Sequence, residues 1–317
     1  MKYLHALGLT LFVLGAISQA QAACKLQQVA EFHVERVAGA PIIDGQINGH
    51  PIRILLDTGT SSSSITQTAA HQMGLPLRWV KKGDAVDGVD GQRMQFADIK
   101  ELRIGQFLLK DSTITVIGKE IHEGNGVANF KLGAGFFARY TTEFDLSRGV
   151  VRLLRPKDCK LDQLVYWSPT YFQVDLQRFS SVWPVFKIGI RVNGTPQQAA
   201  LISGSATSYI ALYAAKEAGV EPTSPGVEPA EPYLRPGTTP IPTWIGRFDT
   251  VEFGAETIKN ARLHIGYVLP QWEPRSGTPY QPAYEVILGS DFFQAHRIMI
   301  VPDQQVVLVT YNGGAVF

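Results

Sequence analysis

The feature that most constrains this chain is that its second half repeats its first. Asn48-Gly49-x-Pro51 recurs as Asn193-Gly194-x-Pro196. The register then runs without a gap through Leu56/Leu201, Gly59/Gly204, Ser63/Ser208, Ile65/Ile210, Ala69/Ala214, Ala70/Ala215 and Gly74/Gly219. Further on, Leu102-Arg103-Ile104-Gly105 is echoed by Val251-Glu252-Phe253-Gly254, and Leu132-Gly133-Ala134-Gly135-Phe136-Phe137 by Leu288-Gly289-Ser290-Asp291-Phe292-Phe293. Repeats in the same order predict two units of one architecture, and a 317-residue chain is long enough for two packed cores.

Each unit reads as mostly β. An Asn-Gly pair between apolar runs is a strong hairpin signal, and it joins 41–47 to 51–56 and 185–192 to 196–202. One short helix follows in each half, over 66–73 and 212–218, closed by Gly74 or Gly219 at the left-handed C-terminal position. Runs rich in β-branched residues, 144–154 and 298–310, predict the last strands. The stretch from 155 to 181 aligns with neither half and reads as a packed linker. The proline-rich 221–242 reads as an exposed extended loop able to overhang a groove.

The N-terminus differs from the rest. Lys2, an apolar stretch over 6–17 and Ala20-Gln21-Ala22 form a secretory signal pattern, so residues 1–22 are expected to be removed after Ala22. The expected locations are periplasmic or secreted, with no later run long enough for a transmembrane span. In an oxidising compartment Cys24 and Cys159 are a disulfide candidate; the competing reading is a lipidated Cys24, against which Gln21 stands where a leucine-like residue is usual. A net charge of +1 with dispersed Lys and Arg gives no footprint for nucleic acid. Seven scattered histidines and two cysteines provide no metal-ligand spacing, so no metal and no cofactor is expected. The serines at 61–64, 203, 205 and 208, with Thr60 beside the first run, lack a Gly-x-Ser-x-Gly elbow and read as turn hydroxyls.

One segment carries chemistry. Leu55-Leu56-Asp57-Thr58-Gly59-Thr60 delivers a carboxylate onto a tight turn before a helix. Asp-Thr-Gly alone is an ordinary turn. Here it comes with a strand before it, a Thr/Ser run after it, an Asp87-Gly88-Val89-Asp90-Gly91 turn at hairpin position and a later Leu132-Gly133 element. This set resembles one lobe of a retropepsin-like aspartic peptidase, of the exported bacterial kind. The resemblance, taken as two lobes, implies tandem retropepsin/pepsin-like β lobes: 23–155, a linker over 156–181, and a degenerate second lobe over 182–317. It implies that Asp57 is the catalytic carboxylate, that Thr58 locks the two central loops together, that Gly59 and Thr60 position the loop and bond the carboxylate, and that the 87–91 turn is a flap over a peptide substrate.

The second lobe departs from that pattern. Where the first reads Leu56-Asp57-Thr58-Gly59-Thr60, it reads Leu201-Ile202-Ser203-Gly204-Ser205, so Asp57 is matched by Ile202. Yet Val286-Ile287-Leu288-Gly289 is a cleaner apolar-apolar-Gly segment than Phe130-Lys131-Leu132-Gly133. Aspartic peptidases use two facing carboxylates that share one proton, and a lone Asp57 has no such partner. Three readings follow: an aspartic endopeptidase in which Asp57 of one chain faces Asp57 of another in a homodimer, which is favoured; a catalytically silent pseudopeptidase that binds peptides or a partner protein; and a purely structural protein. Asp291 and Asp249 are further acids to examine, Asp291 with a structural role as its first explanation.

Overall fold

A computed structural model describes residues 23–79, 95–118, 120–177, 185–233, 240–266 and 284–317. The expected signal segment and the Asp87, Gly88, Val89, Asp90 and Gly91 turn lie outside them.

Two closed β rings and one shared sheet make up the molecule. In the first lobe, strands Ala40–Ile47, His50–Asp57, Phe130–Gly133, Ser64–Thr66, Phe107–Ile117 and Gln95–Ile104 follow one another around a ring that Ala40–Ile47 and Gln95–Ile104 close. Lys187–Val192, Thr195–Leu201, Val286–Leu288, Tyr209–Ala211, Glu256–Gly266 and Ile241–Phe253 repeat that order in the second, closed by Lys187–Val192 against Ile241–Phe253. The fold is mostly β with two retropepsin-like lobes, as expected. The Asn48-Gly49 and Asn193-Gly194 hairpins form where expected, each with both residues at positive φ, the conformation such two-residue turns require. The paired helices are Gln67–Gln72 and Leu212–Glu217, each followed by a left-handed glycine.

A third, six-stranded sheet joins the lobes. Lys25–His33, Val150–Lys157 and Thr141–Asp145 come from the first half, and His296–Val301, Val306–Tyr311 and Phe172–Asp175 complete it. Its midline is the antiparallel pair Thr142/Ile300 and Phe144/Ile298. Part of the expected linker is therefore built into the sheet, since Phe172–Asp175 pairs with the C-terminal strand just as Lys25–His33 pairs with Val150–Lys157. The Cys24–Cys159 disulfide fastens this sheet's first strand to the connecting segment.

Three expectations change. The single runs 144–154 and 298–310 are each two strands, broken by one tight helical turn at Leu146–Arg148 and Pro302–Gln304. Polar, exposed residues interrupt both runs at the turns, Ser147-Arg148-Gly149 with Gly149 at φ 65° and Pro302-Asp303-Gln304-Gln305 with Gln305 at φ 54°, between strands that are buried. The proline-rich 221–242 is not all loop: Glu228–Tyr233 pairs with Ile241–Phe253, a hairpin arm that prolines at an exposed edge permit.

One apolar core runs through both lobes, with Phe144 of the first and Phe293 of the second in edge contact, ring centroids 5.1 Å apart. Across the same seam lies a buried ionic cluster. The fully buried Glu143 carboxylate accepts from the guanidinium groups of Arg152 (2.7 Å) and of Arg297 (2.7 Å), and Arg297 also stacks 4.3 Å from the Trp167 ring centroid. Buried charges persist only when paired and hydrogen-bonded. This cluster satisfies that condition with Glu143 and Arg152 from the first lobe and Arg297 from the second.

Candidate active site

The two turns that follow Leu56 and Leu201 meet at the centre of the molecule. Thr58 and Ser203 are fully buried there and exchange bonds. The Thr58 hydroxyl donates to the Leu201 carbonyl (2.6 Å), and the Ser203 hydroxyl donates to the Leu56 carbonyl (2.7 Å). The backbone N–H of each residue donates to the other's hydroxyl, at 2.9 Å from Ser203 and 3.2 Å from Thr58. Every buried polar group in this knot has a partner. Thr58 and Ser203 thus tie the two turns together, each supplying one half of the knot.

Just beside the knot, Asp57 and Ile202 hold equivalent places. A side chain on Gly59 would collide with Ile202 Cγ2, 2.5 Å away, and one on Gly204 would collide with the Asp57 carboxyl carbon, also at 2.5 Å. Each glycine is thus the floor under the opposite lobe's side chain, and Ile202 fills the place where a second carboxylate would face Asp57. The Gly59 N–H donates to Asp57 Oδ1 (2.9 Å). Thr60 differs from expectation: its hydroxyl donates to the Asp57 backbone carbonyl (3.3 Å), not to the carboxylate. The Thr60 N–H donates to the same carbonyl, and in the second lobe Ser205 repeats only that backbone bond, its N–H donating to the Ile202 carbonyl.

Sequence reasoning missed the other half of the site. Strand Phe130–Gly133 runs parallel to His50–Asp57 with Leu55 opposite Lys131 and Asp57 opposite Gly133. Side chains alternate along strands, so Lys131 shares the face of Leu55 and Asp57. Its ammonium reaches Asp57 Oδ2 at 3.3 Å and Glu123 Oε1 at 2.8 Å. Glu123 is brought there by the loop before the strand, whose Ile121 and Ala128 pack on Ile42 and Leu55. The side chains of Lys131 and Asp57 are only 12% and 5% exposed. Burial alone would push the lysine's pKa down, but the two carboxylates outweigh it and push it well above its ordinary value, so the amine stays charged. For Glu123 burial likewise opposes charge, and Lys131 overcomes it and holds the carboxyl below its usual range. The available signal was one cation interrupting an apolar-apolar-Gly segment whose second-lobe counterpart, Ile287, is apolar.

The glycines of those segments are fixed by crowding. A side chain on Gly133 would meet the Ser62 carbonyl at 2.6 Å, and one on Gly289 the Thr207 carbonyl at 2.5 Å. Ser63 and Ser208 accept from the N–H of the respective glycine. Asp291 belongs to this scaffold: its carboxylate accepts from the Ser208 N–H (2.8 Å) and hydroxyl (2.6 Å), and burial pushes its pKa up against those bonds. Asp249 is exposed on strand Ile241–Phe253. Among the described residues no group of His, Cys, Asp and Glu could hold a metal ion, and no helix is long and apolar enough to cross a membrane.

Comparison with known proteins bears on the first lobe. Residues 43–137 match the family described as "gag-polyprotein putative aspartyl protease", a span that contains Asp57, Glu123 and Lys131. Among solved structures, a retropepsin-like aspartic protease from Rickettsia conorii aligns over 42% of this chain and 95% of its own, at 17% identity and a TM-score of 0.31. No curated protein matches the chain.

Proposed function

From a chain that belongs, through its first lobe, to the retropepsin-like aspartyl proteases, we propose a catalytically silent member that binds extended peptide segments in the cell envelope or outside the cell. One observation carries the reading: Asp57 is ion-paired to Lys131 and faces Ile202, so a single acid stands where the reaction needs two. In the two-acid mechanism one carboxylate takes a proton from water while the other gives one to the scissile carbonyl, and the division of roles rests on a proton shared between like charges. Ile202 has no proton to give. Pairing Asp57 with the Asp57 of a second chain would require the Ser203 turn, bonded to Thr58 within this chain, to leave. The peptide-binding half of the reading draws on the family likeness and on the two-lobed architecture with its central turns kept. The envelope location draws on the N-terminal signal pattern and on the disulfide, a bond that oxidising compartments preserve.

The test is retention of peptides. The mature chain from residue 23, immobilised and washed with a randomised decapeptide pool, should hold back a reproducible subset rich in apolar side chains. A flow-through identical to that of a blank column sinks the peptide-binding reading.

A further inference from the structure

We propose that Lys131 is a second silencing residue, acting independently of Ile202: its ammonium takes the electrostatic place of the proton that two facing carboxylates would share, and it thereby sets what the floor of the site will bind. This inference deepens the silent-site reading and rests on it. A facing pair of carboxylates has a hydroxyl-sized position between them, where a ligand hydroxyl can accept from the protonated acid and donate to the ionised one. The present site offers no such position. Asp57 Oδ1 is engaged by the Gly59 N–H and Oδ2 by Lys131, while Ile202 lies opposite. Lys131 is itself held from behind by Glu123 at 2.8 Å, so it is a fixed part of the site. The equivalent position in the second lobe is Ile287, which shows that the strand pairing does not require a cation there.

Restoring a carboxylate at 202 therefore does not by itself rebuild a proton-sharing pair. An aspartate at 202 would face an Asp57 whose charge Lys131 already answers, and the proton would lose its reason to be held between them. Both substitutions are needed. Lys131→Ile copies the second lobe's own residue, and the Glu123 it frees is 36% exposed and can turn to water.

The experiment uses two probes, a pepstatin-type statine peptide and the same peptide without the statine hydroxyl, titrated by calorimetry into the wild type, Ile202→Asp, Lys131→Ile and the double variant. Thermal melts confirm that each is folded. The expected result is equal affinity for the two probes in the first three proteins, and at least tenfold tighter binding of the hydroxyl peptide by the double variant alone. A hydroxyl preference in Ile202→Asp as large as in the double variant overturns the role of Lys131, as does its absence from a folded double variant. If the wild type binds neither probe while the double variant shows the preference, the inference about Lys131 stands and the peptide-binding function falls.

Discussion

The turn Leu56-Asp57-Thr58-Gly59 and the turn Leu201-Ile202-Ser203-Gly204 occupy equivalent places, yet only one carries an acid. Their differences separate two kinds of residue. Thr58 and Ser203 differ by a methyl group and make the same hydrogen bonds, because the knot needs a hydroxyl on each side. Asp57 and Ile202 differ in everything chemical, yet both fit over the opposite glycine, because that place demands only volume. The scaffold of an acid-protease site can thus outlive its chemistry. The neighbouring strands repeat the contrast, with Lys131 reaching Asp57 in one lobe and the apolar Ile287 holding the equivalent place in the other.

The comparison can be broken most forcefully at the seam. Removing Glu143 by Glu143→Ala leaves Arg297, 7% exposed, with Asp145 at 3.3 Å as its remaining carboxylate, and should cost about 3–5 kcal/mol in chemical denaturation. A loss near zero would mean that the lobes do not depend on this pair. Deleting the disulfide, which closes a separation of 135 residues, should cost about 2–5 kcal/mol when Cys24→Ser and Cys159→Ser are combined. Thr58→Val should lose about 1–3 kcal/mol by orphaning the Leu201 carbonyl. Ser203→Thr should lose far less, which sharpens the claim that the knot reads hydroxyls and not lobes. Ile202→Val, which only shortens an apolar side chain, should cost about 0.5–1.5 kcal/mol.

The ion pairs also have a pH signature. The pKa of Glu123 is lowered in the fold, so its contribution is present above the ordinary glutamate value of about 4.3 and is lost as pH falls through the folded value. The pKa of Lys131 is raised, so its contribution holds below the ordinary lysine value and fades as pH rises through the folded one. Lys131→Met should flatten the acid side of the stability profile. An unchanged acid limb would contradict the pairing with Glu123.

Much of this was legible in the sequence, for physical reasons. Hairpin turns show themselves as Asn-Gly, and the knot shows itself as Thr58 and Ser203 beside glycines. The loss of one acid is plain at Ile202. The shared sheet was harder, since strands buried on both faces lack alternation, although Ser147-Arg148-Gly149 and Pro302-Asp303-Gln304-Gln305 do mark the turns that divide its runs. The strand Glu228–Tyr233 was masked by its prolines, which suit an edge. Lys131 and Glu123 were not singled out because their meaning comes from a parallel strand pairing that lays position 131 beside 55 and 57, far apart in the chain.

The most direct measurement of the central claim is turnover of a quenched fluorescent peptide pool by the mature chain from pH 3 to 8, wild type beside Asp57→Asn, with the mass in solution recorded. The account predicts a monomer and two indistinguishable background rates at every pH. Cleavage that disappears with Asp57→Asn would contradict it, and a dimeric mass alongside would point to Asp57 meeting a second Asp57 across two chains.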